Sequence, residues 1–347
     1  MCRRQIGVDK QVNYMADKNR YSVLNYTRAG KSGLFFAPVS IGLYQNFGGV
    51  ENYDESKKVL FYAFDNGITH FDFANNYGYP RGSAESNFGR LLTKNFKPYR
   101  DEIIISTKAG FDMWDGPYGN FGSRKYLTAS LDQSLKRLGL DYVDIFYHHR
   151  PDYDTPLEET MLALDNAVRQ GKALYVGLSN YAKAEAEKAV GILKQLGTPL
   201  VAYQPEYSML TRWIEDDGVK DFMYGEGVGI LSHSPLAMGL LTGKYQNGIP
   251  AGSRMTKPYA EMDESLRRQQ TVDVVSKLAE IAEKRGQKLN QMAISWALHD
   301  RKICSVIMGV RTIEQLSENL KALDNLDFTK EELDEINRIT AGYSLWQ

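Results

Sequence analysis

Four ionisable residues lie in or just after short apolar runs. Asp72 sits within Phe71-Asp72-Phe73-Ala74 and Tyr77 follows shortly after; Lys108 closes the run from Ile103 to Thr107, and His149 the run from Asp144 to His148. Each has an ordinary explanation alone. A single aspartate in a strand is commonly a hydrogen-bonded structural group, a loop tyrosine usually packs, and an isolated buried lysine could serve as a Schiff-base nucleophile of a lyase. Together they suit another chemistry. A phenol with an unperturbed pKa of about 10 is a weak acid near neutrality. A neighbouring ammonium, from Lys108, is expected to favour the phenolate and lower that value. The Asp72 carboxylate would keep the ammonium charged and oriented, and His149 could donate a hydrogen bond to a carbonyl oxygen. This set polarises and protonates a carbonyl that receives a hydride, which must come from a cofactor because no side chain supplies one.

These residues need elements that make them converge. Strands are expected at Pro38–Leu43, Thr69–Ala74, Ile103–Lys108, Asp144–His149, Leu174–Ser179, Leu200–Gln204, Gly229–Ser234 and Ser305–Gly309. Several are nearly continuous apolar runs, as burial on both faces of a parallel sheet requires. Helical patterns separate them. Thr155, Pro156 and Glu158 read as a capping box with proline at the first helical position, and Thr312 with Gln315 reads as another start. Eight β-then-α units predict an α/β fold of the (β/α)8 TIM-barrel class, with a hairpin over residues 22–36 and an extra C-terminal helix capped by Thr329 and Glu332. In such a barrel the active site forms at the C-terminal strand ends, where Asp72, Lys108 and His149 fall. Residues 1–21 read as a polar extension and 22–347 as one barrel domain. No Gly-x-Gly-x-x-Gly follows a strand, which argues against a Rossmann site. Gly30-Lys31-Ser32 imitates the end of a phosphate-binding loop, but Asn25 stands where its first glycine belongs.

The 347 residues carry a net charge of -1, which offers no footprint for nucleic acid and no attraction to anionic membranes. Cys2 and Cys304 cannot build a disulfide framework and lack metal-site spacing, so no metal is expected and a reduced, cytoplasmic setting is. The opening Met1-Cys2-Arg3-Arg4 leads into no apolar run of the secretory kind. Gly227–Leu241, the most apolar stretch, is too short and too polar to span a bilayer.

The ordered motifs carry a resemblance. Phe71-Asp72-Phe73-Ala74-Asn75-Asn76-Tyr77-Gly78, Ser106-Thr107-Lys108 and Tyr142-Val143-Asp144-Ile145-Phe146-Tyr147-His148-His149-Arg150 resemble the aspartate–tyrosine, lysine and histidine signatures of the aldo-keto reductases. Gly177-Leu178-Ser179-Asn180, Gln204-Pro205-Glu206-Tyr207, Ser234-Pro235-Leu236-Ala237, Gly239–Tyr245 and Glu318-Asn319 follow in the family's order, over roughly residues 22–340. Gly110–Gly119, Ser123–Tyr126 and Leu345-Trp346-Gln347 are similar to the branch of bacterial L-glyceraldehyde 3-phosphate reductases and voltage-gated potassium channel β subunits. The channel subunits often carry asparagine where this chain has His149, so the histidine favours an enzyme.

The resemblance implies NADP(H) across the barrel mouth. By motif position Leu43, Tyr44 and Asp72 border it, and Ser179, Asn180 and Gln204 hold the nicotinamide amide, on which His233 stacks. Ser234, Pro235, Leu236, Ala237, Gly239 and Lys244 follow the pyrophosphate, and Arg254 faces the ribose with its 2′-phosphate. Gly309, Arg311, Gln315, Glu318 and Asn319 surround the adenosine. Two positions depart from the pattern. His233 replaces a larger aromatic ring, with a charge expected to vary near neutrality. Gly309 and Gln315 stand where many relatives carry a basic pair for the 2′-phosphate, narrowing the preference for NADPH over NADH. Tyr44, Trp114 and His149 are the substrate-site candidates, and Arg124 or Arg212 are candidates to meet a substrate phosphate. The implied substrates are small aldehydes or ketones such as L-glyceraldehyde 3-phosphate, methylglyoxal or an aromatic aldehyde; the implied assembly is a homo-oligomer. The rival readings are an NADPH-holding redox sensor of the channel-subunit type and a Lys108 lyase.

Overall fold

Alternation along the apolar runs decides the architecture, because each strand carries two buried faces. The computed structural model describes residues 14–244 and 269–343. A short hairpin, β1 (Thr27–Arg28) against β2 (Phe35–Phe36), precedes eight strands: β3 (Val39–Gly42), β4 (His70–Asp72), β5 (Ile104–Ala109), β6 (Val143–His148), β7 (Ala173–Ser179), β8 (Leu200–Gln204), β9 (Gly229–His233) and β10 (Ile303–Met308). These eight pair in parallel, and β10 pairs with both β9 and β3, which closes the (β/α)8 TIM barrel. The helices α1 (Tyr53–Asp65), α2 (Ser83–Leu91), α3 (Arg124–Leu138), α4 (Leu157–Arg169) and α5 (Lys183–Leu196) follow β3 to β7 in turn. After β8 come α6 (Trp213–Asp216) and α7 (Val219–Glu226), and after β9 come α8 (Gln269–Lys284) and α9 (Leu289–His299). Beyond β10 lie α10 (Ile313–Leu320) and the extra helix α11 (Lys330–Thr340), the latter with its Thr329–Glu332 capping box.

The strand parity sorts two cores. In β6, Phe146 joins the layer between strands and helices, whereas its neighbours Ile145 and Tyr147 point into the barrel. Ala29 and Phe36 of the hairpin join that inner cluster and plug its floor. A Cβ on Gly30, at φ 54°, would come 1.9 Å from the Gly227 carbonyl oxygen, so the glycine of the false phosphate loop serves a close backbone contact.

Two local expectations need correction. Helix α4 begins at Leu157 with Pro156 as its cap, and Thr155 makes no capping bond to it. Asp152 draws Thr155 away: its Oδ1 accepts the backbone N–H groups of Asp154 and Thr155, an Asx turn that competes with the cap. Residues 14–21, expected as part of a polar extension without a role, pack on the barrel. The Tyr14 ring stacks on Phe61 at 3.8 Å and its hydroxyl donates to Asp65 at 2.7 Å. Arg20 pairs with Glu102 and lies 4.9 Å from the Phe64 ring centre.

Candidate active site

Parity places Asp72 on β4 and Lys108 on β5 facing inward, where both are buried. Lys108 Nζ donates to Asp72 Oδ2 at 2.5 Å and to the Phe73 carbonyl at 2.6 Å. Burial pulls the lysine pKa below its ordinary value, and the Asp72 carboxylate opposes that shift. Both acceptors engage the amine, which counts against the lyase reading, since a Schiff base needs a free amine.

The turn after β4 carries Tyr77. Its carbonyl accepts from Gly82 and Ala84, while Gly78 N–H donates to the Tyr44 carbonyl. A Cβ on Gly78, at φ 84°, would approach Ser83 Oγ to 2.5 Å, so the turn requires glycine. Lys108 Nζ lies 4.9 Å from the Tyr77 ring centre, and the Tyr44 and His149 rings meet Tyr77 edge-on at 4.9 and 5.7 Å. The four residues expected to act together do converge. The expected lowering of the phenol pKa does not hold: burial, then the Asp72 charge and Tyr44, push it well above 10. The phenol is thus neutral and carries its proton.

His149, just past β6, is buried against Phe111, whose ring stands edge-on at 4.7 Å. Burial, followed by the charge of Lys108, holds its pKa well below 6.5, so the imidazole is neutral. Its Nδ1 has no hydrogen-bond partner among the described residues. His148, one residue earlier, faces the opposite way, with Nδ1 bonded to the Tyr181 hydroxyl at 2.5 Å.

Behind Asp72 runs a chain of polar side chains inside the barrel. Asp72 Oδ1 accepts from Ser106 Oγ at 2.6 Å and from Gln204 Nε2 at 3.1 Å. Ser106 contacts His70 Nε2 at 2.8 Å, His70 Nδ1 contacts Ser40 Oγ at 2.9 Å, and Ser40 contacts Ser305 Oγ at 2.8 Å. An ionised carboxylate only accepts. Ser106 must therefore give its proton to Asp72 and accept from His70 Nε2–H, and each remaining link donates in the same direction. Burial lowers the His70 pKa to about 4, which keeps this neutral tautomer. Ser40, His70, Ser106 and Ser305 were not among the residues expected at the site. The signal was present: His70 and Ser106 stand two residues before Asp72 and Lys108, on the same inward face.

Most of the expected cofactor residues follow β7 to β10, and Leu43, Tyr44 and Asp72 belong to the adjoining β3 and β4. Asn180 stands at φ 57°, its Nδ2 donating to Ser179 Oγ at 3.2 Å, and its Oδ1 accepts from Glu206 N–H and His233 Nε2 at 3.0 and 3.3 Å. His233 Nδ1 meets Ser234 Oγ at 3.0 Å. Burial, then Lys108, lowers the His233 pKa to about 4, so its charge does not vary near neutrality as expected. Ser234, Ala237 and Met238 hold left-handed φ values of 58°, 44° and 55°, and Gly239 one of 98°. Side-chain-bearing residues persist there only when the surroundings enforce it, as at ligand clamps. Donors and acceptors at Ser179, Asn180 and Gln204 suit a carboxamide, and the left-handed turn suits a close anionic approach; these residues fit a nicotinamide dinucleotide. Leu43 is buried and Tyr44 half-buried. Pro235 and Leu236 belong to the same turn, and Lys244 is exposed just beyond it. Gly309, Arg311 and Gln315 are exposed around the start of α10, where Gln315 Oε1 accepts the Arg311 N–H at 2.9 Å. Glu318 is already paired with Lys288 and Lys321 at 2.9 and 3.2 Å, and Asn319 accepts from Asn290 at 2.8 Å. Arg254 and Leu345-Trp346-Gln347 lie outside the described residues.

On the substrate side, Trp114 is half-buried and packs on Tyr126, ring centres 5.1 Å apart. Arg124 is exposed at the start of α3. Arg212 is committed elsewhere: it pairs with Glu215 at 2.6 Å, donates to Asn337, and borders a cavity of about 340 Å³ with Lys220, Trp296 and Asp300. Lys220 bridges Glu215 and Asp300 there, and none of the four convergent residues lines this cavity. No group of metal-binding side chains occurs among the described residues, and no described helix is long and apolar enough to cross a membrane.

Comparison with known proteins agrees with this geometry. The Aldo/keto reductase family matches residues 38–341. The chain is 51% identical over 339 residues to an L-glyceraldehyde 3-phosphate reductase of Escherichia coli O157:H7, covering 96% of this chain and 98% of that one. It is 50% identical, with the same coverage, to the protein of that name in strain K12. A probable voltage-gated potassium channel subunit beta of Arabidopsis thaliana is 36% identical over 326 residues, covering 91% of this chain and 96% of the relative.

Proposed function

The chain belongs to the aldo/keto reductase family of oxidoreductases, and on that premise we propose that it reduces small aldehydes and ketones with NADPH, Tyr77 giving the proton. The observation that carries the proposal is the inward pair Asp72–Lys108 set beneath a neutral Tyr77 phenol beside a neutral His149. When bound, the nicotinamide supplies the hydride. His149 donates a hydrogen bond to the substrate oxygen and orients it. The Tyr77 O–H passes its proton to that oxygen as it becomes an alkoxide, a far stronger base than a phenolate. Lys108, kept charged by Asp72, stabilises the phenolate left behind.

Ser179, Asn180, Gln204 and His233 hold the nicotinamide end. Ser234–Gly239 and Lys244 take the pyrophosphate, and Arg254 and Arg311 favour a 2′-phosphate. The preferred substrate is L-glyceraldehyde 3-phosphate, with methylglyoxal as a smaller alternative; the reading rests on the named relatives and on the Tyr44 and His149 rings standing edge-on to Tyr77, with Trp114 a further candidate for the substrate side. A homo-oligomer in the cytoplasm is the proposed setting.

Initial rates with NADPH and NADH against an aldehyde panel test the reading. Tyr77→Phe is expected to lower kcat/KM by about 10³-fold or more while NADPH binding, followed by fluorescence, persists. Full turnover in that variant removes Tyr77 from the acid role. Tight NADPH binding with negligible turnover of every aldehyde by the unaltered protein would favour the sensor reading instead.

A further inference from the structure

A buried or half-buried cation normally finds a carboxylate, because an unneutralised charge out of water is costly. Among the described arginines that are not exposed, Arg20, Arg100, Arg137, Arg212 and Arg285 each pair with an acid: Glu102, Asp144, Glu85, Glu215 and Glu332. Arg150 is the exception. It follows His149 directly, is half-buried, and has no ion pair among the described residues.

Its fixed contacts are all neutral. Nε donates to the Gly110 carbonyl at 2.9 Å and Nη2 to Asn120 Oδ1 at 3.0 Å. The guanidinium carbon lies 4.3 Å from the Phe111 ring centre and 5.0 Å from that of Phe121. Phe121 is held left-handed, at φ 70°, with its N–H donating to the same Asn120 Oδ1 at 2.7 Å. The loop between β5 and α3 therefore spends a strained backbone conformation on holding this arginine. Two of its five N–H donors are committed, and a planar fork remains for a further acceptor. Phe111 touches both the Arg150 guanidinium and the His149 ring, so the fork stands one aromatic ring from the group proposed to hold the carbonyl. The Arg150 charge also contributes to the depressed pKa of His149.

We propose that Arg150 is the anion anchor of the substrate site, binding the phosphate of a short phosphorylated aldehyde whose carbonyl lies at His149 and Tyr77. The inference rests on the reductase reading and deepens it: it names the terminal anionic group as the feature that selects the substrate. An unpaired, pre-oriented guanidinium held by neutral acceptors is suited to a bidentate phosphate contact. A neutral aldehyde of the same length leaves it unanswered.

The test compares kcat/KM for glyceraldehyde 3-phosphate with that for glyceraldehyde, using NADPH, in the unaltered protein, Arg150→Met and Arg150→Lys. The expected result is a preference for the phosphorylated substrate that falls by about 30-fold or more in Arg150→Met, mainly through KM, and partly returns in Arg150→Lys. A loop staple would lower both substrates alike; an unchanged ratio, or an unaltered protein with no preference, overturns the proposal. Calorimetric binding of glycerol 3-phosphate to the NADP+-bound protein separates this outcome from failure of the reductase reading. Binding that Arg150→Met weakens by 10-fold or more upholds the anchor even without turnover. Absence of binding to the unaltered protein overturns the anchor even if aldehydes are reduced.

Discussion

The two faces of β4 and β5 are both buried and chemically opposite. Outward, Phe71 and Phe73 meet Phe88 at 5.2 and 4.9 Å between ring centres, within a layer of aromatic and aliphatic side chains. Inward, one residue away along the same strands, stand His70, Asp72, Ser106 and Lys108 in an unbroken hydrogen-bonded series. Both sets are buried. The outer set stabilises through area removed from water and close packing. The inner set takes a lysine and an aspartate out of water, where desolvation offsets much of their attraction. A fold needing only stability has no use for that pair; a site needing a fixed ammonium beneath a phenol does.

Breaking the inner set at its strongest point gives the largest effect. Lys108→Met leaves Asp72 as a buried carboxylate without its counter-ion. It is expected to cost about 3–5 kcal/mol of stability, measured by denaturant unfolding. It should also lower kcat/KM by about 10³-fold or more, because nothing then stabilises a Tyr77 phenolate. Breaking the outer set should separate the two quantities. Phe88→Ala is expected to lose about 3–5 kcal/mol of stability through the cavity it leaves. Its kcat/KM at a temperature where it stays folded should remain within about twofold of the unaltered protein. A matching loss of kcat/KM would show that the outer layer positions the site as well as supporting it.

This contrast was largely visible in the alternation of the sequence, and its limits are instructive. Period two along Thr69–Ala74 and Ile103–Lys108 puts Asp72 and Lys108 on one face and Phe71 and Thr107 on the other, so the barrel and the converging residues could be read directly. The electrostatics could not. Whether Lys108 or burial governs Tyr77 depends on how closely Tyr44 and Asp72 surround the phenol, a property of three separate segments. The same holds for His233, whose neutrality comes from burial. Arg150 went unread for a related reason. Its lack of a carboxylate is a fact about the fold of the loop ending at Phe121, and no spacing announces it. Glu318 and Asn319 matched a motif, yet Lys288, Lys321 and Asn290 already occupy them, a competition that only the packing of α10 on α9 reveals.

Acid sharpens the comparison further, because the outer apolar layer does not titrate and the buried histidines do. Burial lowers the pKa of His70, His148 and His233 from 6.5 to about 4. Between those values the unfolded chain binds protons that the folded chain refuses, so stability is fully present above about pH 6.5 and falls as pH drops toward 4. Each group contributes a slope of about 1.4 kcal/mol per pH unit inside that window and none below it. Denaturant midpoints between pH 7 and 4 read the sum. His70→Gln, which removes one titrating group, should flatten the slope by about one proton's worth. An unchanged slope would mean that His70 is not held neutral in the fold.

The smallest expected effect concerns how far the inner series reaches from Asp72. Ser106→Ala removes one donor from the carboxylate and leaves His70 Nε2–H without an acceptor, at a cost of about 1–3 kcal/mol in stability. Asp72 keeps Lys108 and Gln204, so the ion pair should persist and kcat fall by roughly tenfold or less, with the KM for NADPH little changed. Ser40→Ala, two links farther back, is expected to lower stability by a similar amount and leave kcat within about twofold. Measured together, the two variants decide what the directed chain does. A kcat loss confined to Ser106→Ala means that only the nearest donor positions Asp72. Equal losses mean that the orientation of every proton from Ser305 to Asp72 is set as one unit, and that the polar half of the barrel interior serves the site over its whole depth.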